Sequence, residues 1–359
     1  MRVFFKNFFF VTVPSLLVIV LMLELFFRFV IIASNTPNYS FELNHKVLKF
    51  DTHNNTKGTY TLGKWGEKMG DWKVNNAGWN YPIDYRPKGV NKRIAVIGDS
   101  YIEAFQVNND ANYPYLLNSS LSESGYEVYG FGISGAPLTQ YLHLCRYVEK
   151  EFAPDIFIVN VVHNDFDESI QKYSSSPFFL TVSLQDSLAT EVEPVPYQTS
   201  GVKKWMKKSA LIRYLVNNLL ITNLTTSRQK KAGEESVEQY NANVAVNKLQ
   251  ARQAEIKWML KAVLKKFKED FPDKRIIFVM DGCRKDIYDG ILSQSNILFL
   301  NKSLSEETAL VGLEVIDLNE AFRREYDQNK RNFEFDSDGH WNVLGHQIVA
   351  DTLAGYLKK

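Results

Sequence analysis

A serine ends the short apolar run Ile94-Ala95-Val96-Ile97-Gly98-Asp99-Ser100, and far along the chain a histidine stands with two acids in Asp336-Ser337-Asp338-Gly339-His340. Hydroxyl, imidazole and carboxylate are the groups of nucleophilic acyl chemistry. An imidazole with an ordinary pKa of about 6.5 takes and returns a proton at neutral pH, so His340 is a candidate general base for Ser100. A carboxylate must orient the ring, and Asp338 and Asp336 are both within reach along the chain. Charge developing on the attacked oxygen needs hydrogen-bond donors. The candidates are the Ser100 N–H at a helix start, the N–H of Gly135 in the turn Gly130-Phe131-Gly132-Ile133-Ser134-Gly135, and the side-chain amide of Asn164 in Val162-His163-Asn164-Asp165. Each segment also has a plain structural reading: a capped strand-to-helix turn, a loop needing positive φ, and an Asn/Asp cap. A metal reading of Asp336, Asp338, His340 and His346 is weaker, since six-residue His spacing across a loop-helix junction matches no familiar ligand pattern. His346 reads as structural, starting or packing the last helix.

These residues meet only if the elements between them converge. Apolar runs at 93–98, 127–131, 156–162, 275–280 and 313–318 read as strands, with helical stretches between them. That alternation predicts an α/β fold, a three-layer parallel sheet with right-handed crossovers. In such sheets ligands bind beyond the carboxyl ends of the strands, where Ser100, Gly135, Asn164 and His340 all fall. Residues 166–255 interrupt the alternation and read as an insertion or cap. Within it, 202–221 is expected as one helix with Lys203, Lys204, Lys207, Lys208 and Arg213 beside Trp205, Met206 and Leu211. It is either a solvated face over a packed one or a face resting on an anionic membrane. A long helix is expected over 236–271.

With 359 residues the chain can form a large core, and 42 Lys+Arg against 41 Asp+Glu give no bias toward nucleic acid. Cys145 and Cys283 are too few for a disulfide framework or zinc site and read as buried thiols, a single bridge being the alternative. Residues 8–32 are apolar apart from Thr12, Ser15, Glu24 and Arg28, long enough to span a bilayer. Residues 1–34 are therefore read as an anchor, with Glu24 and Arg28 paired or reaching the headgroups. Arg2 and Lys6 precede the span, which puts the N-terminus in the cytoplasm and the remainder outside it, periplasmic or at the cell surface. Cleavage at Ala33-Ser34 is the alternative. Residues 35–92 read as a lead-in packed on a main domain of 93–359, because Trp65, Trp72, Trp79 and Tyr81 suit packing better than a flexible stalk.

Four blocks in order resemble the SGNH or GDSL-type hydrolase superfamily: Gly98-Asp99-Ser100, Ile133-Ser134-Gly135, His163-Asn164-Asp165 and Asp338-Gly339-His340-Trp341. The resemblance covers roughly 90–170 and 275–359 and implies a flavodoxin-like sheet, a serine hydrolase, and no cofactor or metal. It implies Ser100, His340 and an acid as the catalytic set, with Ser100, Gly135 and Asn164 as oxyanion donors. In the commonest form the acid stands three residues before the histidine, where this chain has Ser337. Asp338-Gly339-His340-Trp341 is similar to the Asp-x-His-Trp form of extracytoplasmic polysaccharide acetyltransferases, which points to Asp338, with Asp336 in reserve. The expected function is removal of O-acyl groups from an exported glycan or small ester. Transfer to such a glycan from a membrane acyl-donor protein, and non-catalytic glycan binding, are the alternatives.

Overall fold

The computed structural model describes residues 6–185, 188–219, 240–241, 244–336 and 338–358. Arg2 and Ser337 lie outside them. A π-helical turn, Phe8–Thr12, runs into α1 (Val13–Phe29). Together they form one unburied helix of 22 residues with mean hydropathy 2.4. At 1.5 Å per residue it rises about 33 Å, matching a hydrocarbon core of about 30 Å.

Two antiparallel hairpins follow, β1 (Tyr39–Glu42) with β2 (Val47–Phe50) and β3 (Lys57–Leu62) with β4 (Glu67–Lys73). The chain continues through β5 (Lys92–Gly98), α2 (Ser100–Glu103), α3 (Tyr113–Leu121), β6 (Tyr126–Gly132), α4 (Leu138–Phe152), β7 (Ile156–Val161) and α5 (Asp165–Glu168). Hairpin β8 (Thr181–Gln185) and β9 (Leu188–Val192) precedes α6 (Gly201–Met206), α7 (Ala210–Arg213) and a π-helical turn at Tyr214–Asn218. After β10 (Tyr240–Asn241) and β11 (Val244–Ala245) come α8 (Val246–Ala251), α9 (Gln253–Asp270), β12 (Arg275–Met280), α10 (Arg284–Tyr288), α11 (Leu298–Val311) and β13 (Glu314–Asp317). The chain closes with α12 (Asn319–Asn329), β14 (Glu334–Phe335), β15 (Asp338–Trp341) and α13 (Val343–Leu357).

The strands expected from the apolar runs form one parallel sheet in the order β6-β5-β7-β12-β13. Counting only these strands, that is the 2-1-3-4-5 order of flavodoxin-like folds. The inner strands β5, β7 and β12 are apolar on both faces because each face is covered. Ala95, Ile97, Phe157, Val159, Phe278 and Met280 pack under α4, α9 and α11, whereas Ile94, Val96, Ile158, Ile277 and Val279 pack under α3, α12 and α13. Gly132 ends β6 where a Cβ would lie 2.2 Å from the Glu103 nitrogen, so α2 can pack directly on the strand.

The interrupted region departs from expectation twice. The helix expected over 202–221 is broken after Met206; α7 starts anew at Ala210, with Ser209 extended and its hydroxyl accepting from Ile212 N. The reason lies far away in sequence. Glu24 of α1 accepts from Ser209 Oγ, Ala210 N and Leu211 N at 2.8, 2.9 and 3.0 Å, satisfying the donors of a new helix start. Residues 220–239 lie outside the described residues. Of the long helix expected over 236–271, residues 240–241 and 244–245 are strand instead, 236–239 and 242–243 lie outside the described residues, and the helix from Val246 breaks at Arg252, whose guanidinium pairs with Asp167 and covers the Tyr173 ring. Trp72, Trp79 and Tyr81 are buried as expected, but Trp65 is 69% exposed on the β3–β4 turn. Cys145 and Cys283 are both free and buried, which removes the disulfide alternative.

Candidate active site

β5 delivers Ser100 to the first position of α2, with Asp99 as N-cap accepting from Tyr101 N at 2.9 Å. β5 lies between β6 and β7, so the turns after these neighbouring strands flank Ser100. This is the switch point of the sheet, where connections leave in opposite directions and open a crevice.

His340 arrives on β15, which folds back on β14 with Phe335 opposite Asp338. Its Nε2 lies 2.8 Å from Ser100 Oγ, and its Nδ1 hydrogen-bonds Asp338 Oδ1. With Nδ1–H donated to Asp338, Nε2 is left as the acceptor for the serine proton. Asp338 Oδ1 also accepts the His340 backbone N–H at 2.9 Å, so one carboxylate fixes backbone and ring together. Burial raises the pKa of Asp338, but the His340 ring, its N–H and Gln106 outweigh that and hold it below the ordinary carboxylate range. Asp336 is exposed in the turn between β14 and β15, and the ring nitrogens of His340 are engaged by Asp338 and Ser100 instead.

The serine hydroxyl has a second acceptor, Asp99 Oδ2 at 3.2 Å. Burial raises the Asp99 carboxyl above its ordinary range, and its contact with the hydroxyl is the longer of the two. Gly135 sits in the loop after β6 with φ +77°, where a Cβ would be strained. Asn164 follows β7 at the same end of the sheet, and its amide donates to Glu168 Oε2 at 3.3 Å, a long and replaceable contact. His346 is buried in α13, where its Nδ1 accepts from Tyr113 N; burial pushes its pKa down to about 3. It is therefore a neutral packing residue against Trp341, whose ring also meets Tyr101.

Several residues that shape the site carry no sequence signal. Glu103, buried on α2, accepts from Ser134 N at 2.7 Å and Ser134 Oγ at 2.6 Å, tying the Gly135 loop to the serine helix. Burial pushes its pKa up to about 7. Arg284 donates one nitrogen to Tyr101 Oη, Gly339 O and Asp281 Oδ2, and the other to Glu334 Oε2. It thereby clamps the backbone next to His340. Trp341 Nε1 donates to Asp281 Oδ1 at 3.0 Å and completes the clamp. Tyr60 of β3 is close enough that, after burial, the charges of Asp338 and Glu103 raise its phenol to about 12, so the lead-in forms part of the wall. A buried pair such as Asp281 and Arg284 is invisible in composition; the one cue is Asp281-Gly282-Cys283-Arg284 at a strand end.

A hydroxyl, an imidazole at hydrogen-bond distance and a carboxylate on its opposite nitrogen are the arrangement that can activate a serine as nucleophile. A family model described as GDSL-like lipase/acylhydrolase matches residues 94–353. The chain belongs to this family. As a GDSL-type protein it is a serine hydrolase of the SGNH class, and its 2-1-3-4-5 sheet is the expected α/β fold. No curated protein matches it closely enough to count as a relative. Among solved structures, an acetyl xylan esterase is 14% identical, with 74% of this chain and 99% of that one covered and a TM-score of 0.39. A lipase/acylhydrolase from Enterococcus faecalis is 13% identical, covering 74% and 95% with a TM-score of 0.38. A two-domain esterase active on acetylated mannans is 11% identical, covering 75% and 49% with a TM-score of 0.38.

Proposed function

We propose that the protein is a membrane-anchored esterase that removes O-acyl groups, foremost acetyl, from an exported glycan, with Ser100 as nucleophile, His340 as base and Asp338 as its orienter. The observation carrying this reading is the 2.8 Å contact of Ser100 Oγ with the imidazole that Asp338 holds by the opposite nitrogen. Ser100 Oγ bonds to the ester carbonyl carbon as its proton passes to Nε2. The carbonyl oxygen takes up negative charge, which Gly135 N–H, Ser100 N–H and the Asn164 amide receive once Asn164 leaves Glu168. Collapse breaks the ester C–O bond, and the alcohol departs with the proton from Nε2. Water then gives a proton to His340, attacks the acyl-serine and releases the acid, and the proton returns to Ser100.

The glycan part rests on Asp338-Gly339-His340-Trp341, similar to polysaccharide-modifying relatives. The same run supports a second reading, in which a glycan hydroxyl replaces water and the protein transfers the acyl group. Retention of the anchor is supported by burial. Ala33 and Ser34 are 0% and 1% exposed, Ser34 N donates to Asn218 Oδ1, and Phe27 stacks on Tyr214 at 3.8 Å. A peptidase needs an extended, accessible segment there. The positive-inside pattern of the leading residues supports an extracytoplasmic site.

Fluorophosphonate labelling followed by peptide mass spectrometry tests the serine: an adduct on Ser100 that His340→Ala abolishes is expected, and no adduct on the folded protein would overturn the reading. Adding acceptor glycan separates the two outcomes of the acyl-serine. Undiminished hydrolysis supports the esterase, and acyl groups diverted to the glycan support transfer.

A further inference from the structure

The lysines at 204, 207 and 208 do not lie spread over one helix face. The break between α6 and α7 folds them, with Arg213 of α7 and Arg28 of α1, around a cleft of about 620 Å³. Asp51 is the acid lining it, and that carboxylate is taken up by His53 N and by the backbone and side chain of Asn54. Among the described residues, Arg28 has a carboxylate partner in Glu24, and the other four cations have none. Among the described residues, Lys207 Nζ reaches the Pro37 carbonyl alone, at 3.2 Å. Arg213 Nη1 reaches the Lys207 carbonyl, at 3.0 Å, while its Nε is buried without a partner. Burial depresses the pKa of both Lys207 and Arg213; on Arg213 the charge of Arg28 adds to the effect and that of Glu24 opposes it. Cations gathered and partly desolvated with so little countercharge have an unmet demand for an anion.

The position of the cleft says which anion. Arg28 is the penultimate residue of the Phe8–Phe29 helix, so the cleft opens where that helix leaves the hydrocarbon and lipid phosphates begin. α6 supplies a second observation. Val202, Trp205 and Met206, at i, i+3 and i+4, share one helical face and are 67%, 68% and 37% exposed. An exposed apolar stripe with tryptophan beside lysines suits the membrane interface.

We propose that the cleft of Arg28, Lys204, Lys207, Lys208 and Arg213 binds the phosphate of an anionic phospholipid in the leaflet from which α1 emerges, with α6 lying on the headgroups. This rests on the reading of α1 as a retained anchor. Each cation near an anionic surface is worth about 1 kcal/mol, or about fivefold in affinity.

The test uses the full chain in phosphatidylcholine vesicles carrying a trace of spin-labelled phosphatidylglycerol or phosphatidylcholine, with the motionally restricted fraction giving relative affinity. The parent is expected to prefer phosphatidylglycerol several-fold, and Lys207→Gln/Arg213→Gln to lose most of that preference. Because Arg213 is part-buried, Lys204→Gln/Lys208→Gln, at exposed positions, provides a second variant, each pair being checked by thermal melting. Equal affinity for both lipids in the parent, or an unchanged preference in both variants, overturns the proposal. Loss of the preference in millimolar inorganic phosphate would assign the cleft to free phosphate and likewise overturn it. Extraction of the parent from vesicles by alkaline carbonate would overturn the anchor reading and this proposal together; retention with no lipid preference would overturn this one alone.

Discussion

Asp338 is the carboxylate that faces His340 Nδ1, and a proton held between them leaves Nε2 free to accept from Ser100. Replacing Asp338 by Asn offers an amide in place of the acceptor and favours the wrong tautomer, so kcat for a nitrophenyl acetate should fall about 10⁴-fold. Asp336→Asn, altering an exposed side chain, should stay near the parental rate. Equal losses in the two variants would remove Asp338 from the triad. Asn164 poses a different question, because its amide leans on Glu168 in the resting structure. Asn164→Ala should leave a folded protein with kcat lower by about 10²–10³ and little change in KM, as expected when a donor acts only on the developing oxyanion. A parental kcat would exclude that amide from the reaction.

The candidate site residues Ser100, Gly135 and Asn164 were legible in the sequence because they follow strand ends, which are marked by apolar runs closing on turn residues, and the Asp338-Gly339-His340-Trp341 run stood out by its residue types. The braces that hold these turns were not. Glu103 reaches Ser134 across 31 positions and Arg284 reaches Tyr101 across 183, and no local pattern encodes such pairings. The same reasoning covers the broken insertion helix, whose 202–221 periodicity is genuine but is overridden by Glu24 from 185 positions away. The brace at Glu103 should show in stability. Its folded pKa, about 7, is raised above the ordinary 4.5, so the native state binds the proton more tightly than the unfolded chain. That contribution is complete below about 4.5 and fades as pH climbs toward 7. Urea melts should therefore show Glu103→Gln gaining stability relative to the parent as pH climbs from about 4.5 to 7, while Glu168, raised to about 7, and His346, lowered to about 3, act alike in both proteins. Arg284→Lys keeps a charge beside Asp281 but cannot reach Tyr101, Gly339 and Glu334 together. Loosening the strand that carries His340 should slow fluorophosphonate labelling of Ser100 by up to about 10²-fold, the cost of a misplacement near 1 Å. Labelling at the parental rate would mean that the clamp does not position the histidine.

The apolar helix and the hydrolase are joined by more than a peptide link. Glu24 caps α7, Arg28 donates to the Lys208 carbonyl, Tyr214 stacks on Phe27 and bonds Lys64 O, and the Ala33–Ser34 junction is buried beneath these contacts. An anchor that merely tethered the domain would need none of them. Docking of this kind fixes the orientation of the domain relative to the helix, and so the height of the Ser100 crevice above whatever surface the helix enters. Glu24→Ala leaves the Ser209, Ala210 and Leu211 donors without their acceptor, a loss comparable to removing an N-cap, about 1 kcal/mol. In detergent the full chain should then melt about 1–2 °C below the parent. Leu17→Ala, at an exposed position on the same helix, serves as the control and should leave the melting temperature unchanged. If Glu24→Ala and Leu17→Ala melt alike, the end of the helix contributes nothing to the fold. If only Glu24→Ala is lowered, the anchor is a structural element of the hydrolase, and a protein cut at Ala33-Ser34 should show the same or a larger loss.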